Sequence, residues 1–174
     1  MQKSNSKEQQ KMSYSTIIFL SLALLSQCHA DLIGDLCTKS NNPSLCNQAL
    51  RSDPRSQGAN ARGLAGIALD NSLSTTQASI NVAKSVSNPS NKDKIDTCIE
   101  NFGEAVDNLQ EAKPLIPKLD RPSISTLQTR GSAALTDVDT CSDEFRASEP
   151  SELKQATDKA YTFIQLLLII VNTL

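Results

Sequence analysis

Apolar residues recur at spacings of three and four along most of the chain, and no stretch of any length alternates with a period of two. That rhythm puts one side of a helix against a core and predicts helices rather than strands. The clearest run covers residues 91–112, where Ile95, Cys98, Ile99, Phe102, Ala105, Val106, Leu109 and Ala112 form one stripe. Pro114, Pro117 and Pro122 then interrupt it. A second helix is expected over 123–145, on Ile124, Leu127, Gly131, Ala134, Val138, Cys141 and Phe145. Gly131 falls on that inward stripe, where the missing side chain lets a neighbouring helix come close. A third begins near Pro150 and keeps the rhythm through Leu153, Ala156, Ala160, Phe163, Leu167, Ile170 and Leu174. An earlier one lies within 58–87, marked by Leu64, Ala68, Thr75, Val82, Ala83 and Val86. It is rich in Ala, Ser and Thr, and Gly63 and Gly66 each weaken it by about 1 kcal/mol against alanine.

Four amphipathic helices joined by short proline-containing links predict an all-α fold, an up-down-up-down four-helix bundle. Asn42-Pro43, Asn88-Pro89 and Glu149-Pro150 each place proline near an expected first helical position. Ahead of the bundle, "DLIGDLCTKSNNPSLCNQAL" predicts a short helical hairpin that turns at Asn41-Asn42-Pro43. It carries Leu32, Ile33, Leu36, Leu45 and Leu50 for docking but is too small to bury enough surface to fold alone.

The first thirty residues are of another kind. Lys3, Lys7 and Lys11 precede an apolar run, "IIFLSLALL", and then "QCHA". This reads as a secretory signal peptide over residues 1–30, leaving 31–174 as one domain. The run is about nine residues against the ~20 needed to span a bilayer. The apolar tail "FIQLLLIIV" is also too short, and it continues the spacing begun at Leu153, so no stable membrane insertion is expected.

A secreted chain changes the meaning of the cysteines. Cys37, Cys46, Cys98 and Cys141 remain after residue 30, an even set that predicts two disulfides among three possible pairings. The helices carrying Cys98 and Cys141 meet through the link at 113–122. The two cysteines lie roughly 21 and 28 Å from it along antiparallel axes, close enough to level for a bridge. That gives Cys98–Cys141 and leaves Cys37–Cys46, worth about 4 and nearly 3 kcal/mol in the chain-entropy model.

Charge and composition mainly exclude. His29, the one histidine, precedes residue 31, so Ser-His and Cys-His nucleophiles and the usual zinc sets are absent beyond it. No catalytic residue, metal or cofactor is expected. The net charge is −2, or about −4 after residue 30, with no basic stripe for nucleic acid. The aromatic residues there, Phe102, Phe145, Tyr161 and Phe163, fall mostly on apolar faces.

One polar constellation stands out. Glu100, Glu104, Asp107 and Glu111 recur at i, i+4, i+7 and i+11, on the side of their helix away from the apolar stripe. Like charges so placed cost a few tenths of a kcal/mol each. No Lys or Arg is expected on that ridge to relieve them. Thr136, Thr140 and Asp143 form a second polar line on the next helix, with Asp137 and Glu144 beside it. The pattern suits docking to a basic or hydrogen-bond-donating partner. A glycosidase carboxylate pair would need an aromatic-lined cleft that nothing here supplies.

"LIGDLCTKSNNPSLCNQALRSDPRS", "DTCIENFGEAVDNLQEA" and "SAALTDVDTCSDEF" together resemble the plant invertase and pectin methylesterase inhibitor family, across essentially all of 31–174. The resemblance implies a four-helix bundle with a disulfide hairpin in front, and bridges first-to-second and third-to-fourth. It implies a secreted cell-wall (apoplastic) protein that inhibits by stoichiometric contact, without catalysis. The hairpin would pack on the bundle or on a second copy, giving a monomer or a weak homodimer. The positions matching enzyme-facing residues of the pectin methylesterase branch are Glu100, Glu104, Asp107, Thr140 and Asp143. Invertase inhibitors typically carry Pro-Lys-Phe in the link where this chain has Pro117-Lys118-Leu119. Leucine fills a pocket less well, so the expected partner is pectin methylesterase, with acid invertase the alternative. A lipid- or small-molecule-binding bundle is the reading from another class, and it would need an internal cavity.

Overall fold

The computed structural model describes residues 31–174. The signal peptide expected over residues 1–30, with Cys28 and His29, lies outside the described residues. Two short helices come first, α1 (Leu32–Cys37) and α2 (Pro43–Ser52), followed by a 3-10 turn at Pro54–Ser56. Four long helices follow: α3 (Ala61–Ser85), α4 (Lys92–Ala112), α5 (Arg121–Phe145) and α6 (Ser151–Val171). Further 3-10 turns at Lys113–Leu115 and Arg146–Ser148 open the α4–α5 and α5–α6 links. Each long helix packs along two neighbours. The α4–α5 and α3–α6 contacts are the most extensive, and α3–α4 and α5–α6 close the ring.

Side-chain caps set three of the helix starts. The Asn42, Asn60 and Asp120 side chains accept from the backbone N–H groups of Leu45, Gly63 and Ser123 at 2.9–3.1 Å. Pro43 is the first residue of α2, as expected. Pro150 sits one residue before α6, at its cap position. Pro89 differs: it lies in a turn three residues ahead of α4. There Asn88 N–H donates to Asn91 Oδ1 at 2.7 Å, and the helix waits until that turn is complete.

The α4 stripe is buried at every expected position except Ile99, which is half-buried. On α5 and α6 the stripes also turn inward, but Ile124 and Ala156 are half-buried. Leu174 lies beyond the last helical residue and is 44% exposed. At Gly131 an added Cβ would come within 2.8 Å of Leu168 Cδ2, so the glycine does set the α5–α6 approach. Both disulfides form as expected, with Cα–Cα distances of 5.5 Å for Cys37–Cys46 and 4.6 Å for Cys98–Cys141.

The α3 stripe needs correction. Leu64, Ala68 and Ala83 face inward, but Thr75, Val82 and Val86 are only half-buried. Between Ala68 and Ala83 the buried positions are Leu69 and Ile80 together with Ser72, Thr76 and Ser79, the last three fully buried. Hydroxyls hid that part of the periodicity. Ser72 donates to Ala68 O at 2.8 Å, and Ser79 reaches Ala156 O on α6 at 3.1 Å as well as Thr75 O. Thr76 Oγ1 has no hydrogen-bond partner.

The hairpin docks on its own bundle. Leu36 and Leu50 are buried, while Leu32, Ile33 and Leu45 are half-buried. Asn41 N–H donates to Gln165 Oε1 at 3.0 Å, and Thr162 Oγ1 donates to Asn41 Oδ1 at 3.3 Å. α6 packs mainly on α3 and α5, with a smaller contact from α2. Ile164 and Leu166 are buried as well as Phe163, Leu167 and Ile170. Beyond the hairpin, Arg55 pairs with Asp70 of α3 at 2.7 Å, and Asp70 with Lys113 at 3.1 Å. The pairs tie the hairpin exit to the α4–α5 link. No helix among the described residues is long and apolar enough to cross a membrane.

Candidate partner-binding surface

α4 and α5 run antiparallel and are joined by the Cys98–Cys141 bridge. Glu100, Glu104, Asp107 and Glu111 are all exposed on α4. On α5, Thr136 and Asp143 are exposed and Thr140 is half-buried, its hydroxyl donating to Thr136 O at 2.9 Å. All of these but the half-buried Thr140 are therefore exposed, on two adjacent helices with a fixed register.

The ridge is less uniformly acidic than its spacing suggested. The expectation that no cation relieves it fails at its lower end, where Arg130 of α5 reaches across and pairs with Glu111. The same guanidinium donates to Asn108 Oδ1 at 3.1 Å, and Asn108 Nδ2 donates to Asp137 Oδ2 at 3.1 Å. Burial raises the pKa of Asp137 above the ordinary aspartate value, and the Asn108 bond opposes the shift. Upstream on the same helix, Lys92 pairs with Asp96. Glu100, Glu104 and Asp107 lie between these two neutralised ends and form no ion pair among the described residues.

Arg130 and Asn108 escaped the sequence reading because they belong to no stripe of their own. A signal did exist. Glu111 lies thirteen residues beyond Cys98 and Arg130 eleven before Cys141. On antiparallel helices pinned by that bridge, the two come within about 3 Å of the same level.

The link carrying Pro117-Lys118-Leu119 is held inward. Leu119 is 9% exposed and adopts φ 41°, a left-handed conformation uncommon outside glycine. Arg62 at the start of α3 donates to Pro117 O at 3.0 Å and fastens the link to the bundle. Leu119 therefore belongs to the interior of this chain and is not a projecting plug. Phe102, Phe145, Phe163 and Leu167 are likewise buried.

Among the described residues, no group of three or more His, Cys, Asp or Glu side chains is placed to hold a metal ion. The surface can act through charge, hydrogen bonding and shape.

Comparison with known proteins agrees with the fold and the sequence motifs. Residues 31–170 match the model of the family described as plant invertase/pectin methylesterase inhibitor. A pectinesterase inhibitor of Actinidia deliciosa is 34% identical over 149 residues, covering 82% of this chain and 79% of that protein. A putative invertase inhibitor of Platanus acerifolia is 30% identical over 149 residues, covering 78% and 82%. The crystal structure of a mutant form of a pectin methylesterase inhibitor from Arabidopsis superposes with a TM-score of 0.72 at 23% identity, covering 83% of this chain and 98% of that one, which supports the fold. With a family match across nearly all the described residues, this chain belongs to the plant invertase/pectin methylesterase inhibitor family.

Proposed function

We propose that this chain is a secreted inhibitor of pectin methylesterase that works by stoichiometric contact, its α4–α5 face covering the enzyme's pectin-binding cleft. The observation that carries the reading is the set of three exposed carboxylates without ion pairs, Glu100, Glu104 and Asp107. On the helix bridged to theirs, Asp143 is exposed and Thr140 half-buried. Such a face attracts a basic partner, speeds encounter and fixes orientation. The disulfide holds the two helices in one relative position, so little ordering remains to be done on binding.

The alternative target is acid invertase, a reading that the name of the Platanus relative keeps in view. The buried Leu119 weighs against it, since a side chain held inside the bundle does not fill an enzyme pocket. Removal of residues 1–30 on secretion belongs to the same proposal, with the oxidising compartment supported by two formed disulfides.

The deciding experiment titrates the purified, oxidised chain into pectin methylesterase and acid invertase assays. The expected result is loss of esterase activity that is complete at an equimolar ratio. Inhibition of invertase alone overturns the choice of target.

A further inference from the structure

The two links at the α4-start end of the bundle, residues 86–91 and 146–150, enclose an open cleft of about 350 Å³. That is within the range of small-molecule sites, roughly 300–1,000 Å³. Lys94, in the first turn of α4, places its ammonium 5.4 Å from the centroid of the Phe145 ring at the cleft. The ring face holds the cation. Lys94 makes no ion pair among the described residues, although the chain as a whole is acidic. Arg146, exposed and likewise without an ion pair, lies between the lining residues Phe145 and Ser148.

Two hydroxyls of the cleft have a definite polarity. Ser148 spends its hydroxyl proton on Phe145 O at 2.7 Å, and Ser90 spends its own on Asn88 Oδ1. Each hydroxyl oxygen keeps lone pairs free to accept. The cleft therefore presents a cation and hydroxyl acceptors together. The complementary ligand carries a carboxylate beside several hydroxyl donors.

We propose that this cleft binds a hydroxylated carboxylate the size of one sugar ring, a hexuronate. The carboxylate sits against Lys94 and the ring hydroxyls donate to Ser90 and Ser148. The site is separate from the Glu100–Glu104–Asp107 ridge and does not require that ridge to contact an enzyme. The hexuronate is either free or a unit of a uronic-acid polymer, since both present the same groups.

The test is an amide-NMR titration of the oxidised chain with galacturonate, galactose and trigalacturonate. Galacturonate is expected to shift the amides of Ser90, Lys94 and Ser148 saturably, with a Kd at least about tenfold below that of galactose. Lys94→Gln is expected to raise that Kd about tenfold or more, while Lys94→Arg retains binding. Ser148→Ala weakens it with the thermal midpoint unchanged, which keeps the test decisive if Lys94→Gln also perturbs folding. Trigalacturonate binding more tightly than the monomer identifies the polymer as the source, and equal affinity identifies the free acid. Equal affinity for galactose, indifference to Lys94→Gln, or no saturation by about 50 mM galacturonate overturns the proposal. Esterase inhibition measured on the same variants separates this outcome from the fate of the inhibitor reading.

Discussion

Arg130 on α5 pairs with Glu111 on α4 and, through the Asn108 amide, connects to Asp137. One cation thereby occupies the lower end of a ridge that is otherwise anionic. Both partners of the pair are substantially exposed, at 42% and 57%, so its stabilising effect is small, about 0–1 kcal/mol. Its consequence for recognition is larger, because Glu111 is already compensated and Glu104 is not. Glu104→Gln should slow association with pectin methylesterase at low salt several-fold more than Glu111→Gln does. Stopped-flow association rates at two ionic strengths check this, and equal effects would place the contact elsewhere.

Charge reversal makes a stronger probe of the same surface. Glu104→Lys with Asp107→Lys should weaken complex formation by at least about tenfold, or ~1.4 kcal/mol. Both side chains are exposed, so the helical circular dichroism and melting midpoint should change little. Normal inhibition by the double variant would leave the ridge as ordinary solvated surface.

Thr76 offers a change that should improve the protein. Its hydroxyl is fully buried on α3 without a partner, and valine has nearly the same shape. Thr76→Val removes the cost of that unmade bond and should stabilise the fold by about 1–2 kcal/mol in urea titrations. A loss of stability would mean that the hydroxyl finds a partner in solution.

Gly103 and Gly131 respond oppositely to the same substitution. An alanine Cβ at Gly103 meets nothing within 4 Å, whereas at Gly131 it comes within 2.8 Å of Leu168. Gly103→Ala should gain up to about 1 kcal/mol from helix propensity. Gly131→Ala should lose that gain to overpacking, typically about 1–3 kcal/mol, unless Leu168 turns aside. Paired denaturation midpoints test the contrast.

Glu149 couples stability to pH. Burial raises its pKa above the ordinary glutamate value, Asp158 adds to the shift, and Thr157 and Lys154 oppose it. Thr157 has one hydroxyl proton and two acceptors, Glu149 Oε1 at 3.1 Å and Leu153 O at 2.9 Å. A protonated Glu149 resolves that competition by donating. The folded carboxyl holds its proton more tightly than the unfolded one. Its stabilising contribution is thus complete below the ordinary glutamate range and lost as pH rises through the raised value. Glu149→Gln should raise the melting midpoint at neutral pH, and the difference should vanish by about pH 4. Asp53 and Asp120, whose pKa values are lowered mainly by hydrogen bonds from Arg55 and Ser123, act in the opposite direction in both proteins and cancel in the comparison.

The bundle was legible where packing is apolar. The α4 stripe, the Gly131 approach and both disulfides follow from periodicity and reach alone. Legibility failed where polar groups do structural work. Ser72, Thr76 and Ser79 face the core but carry no hydrophobic signal. Pro89 looked like a helix start and is part of an asparagine-built turn. The acidic ridge was visible from spacing on one helix, but its compensation by Arg130 required a second helix at a known register. Leu119 looked available because a link with two prolines reads as surface, yet its left-handed backbone turns the side chain inward.

The contact between Asn41 and Gln165 spans 124 positions of sequence. During synthesis the amino-terminal segment leaves the ribosome long before the carboxy-terminal helix that will receive it. Bridging Cys37 to Cys46 across nine positions needs nothing downstream, so this small loop can close early. It then waits, covalently tied, until Ser151–Val171 emerges. A later segment thus receives an earlier one, and without α6 the Asn41 turn loses its Gln165 and Thr162 partners.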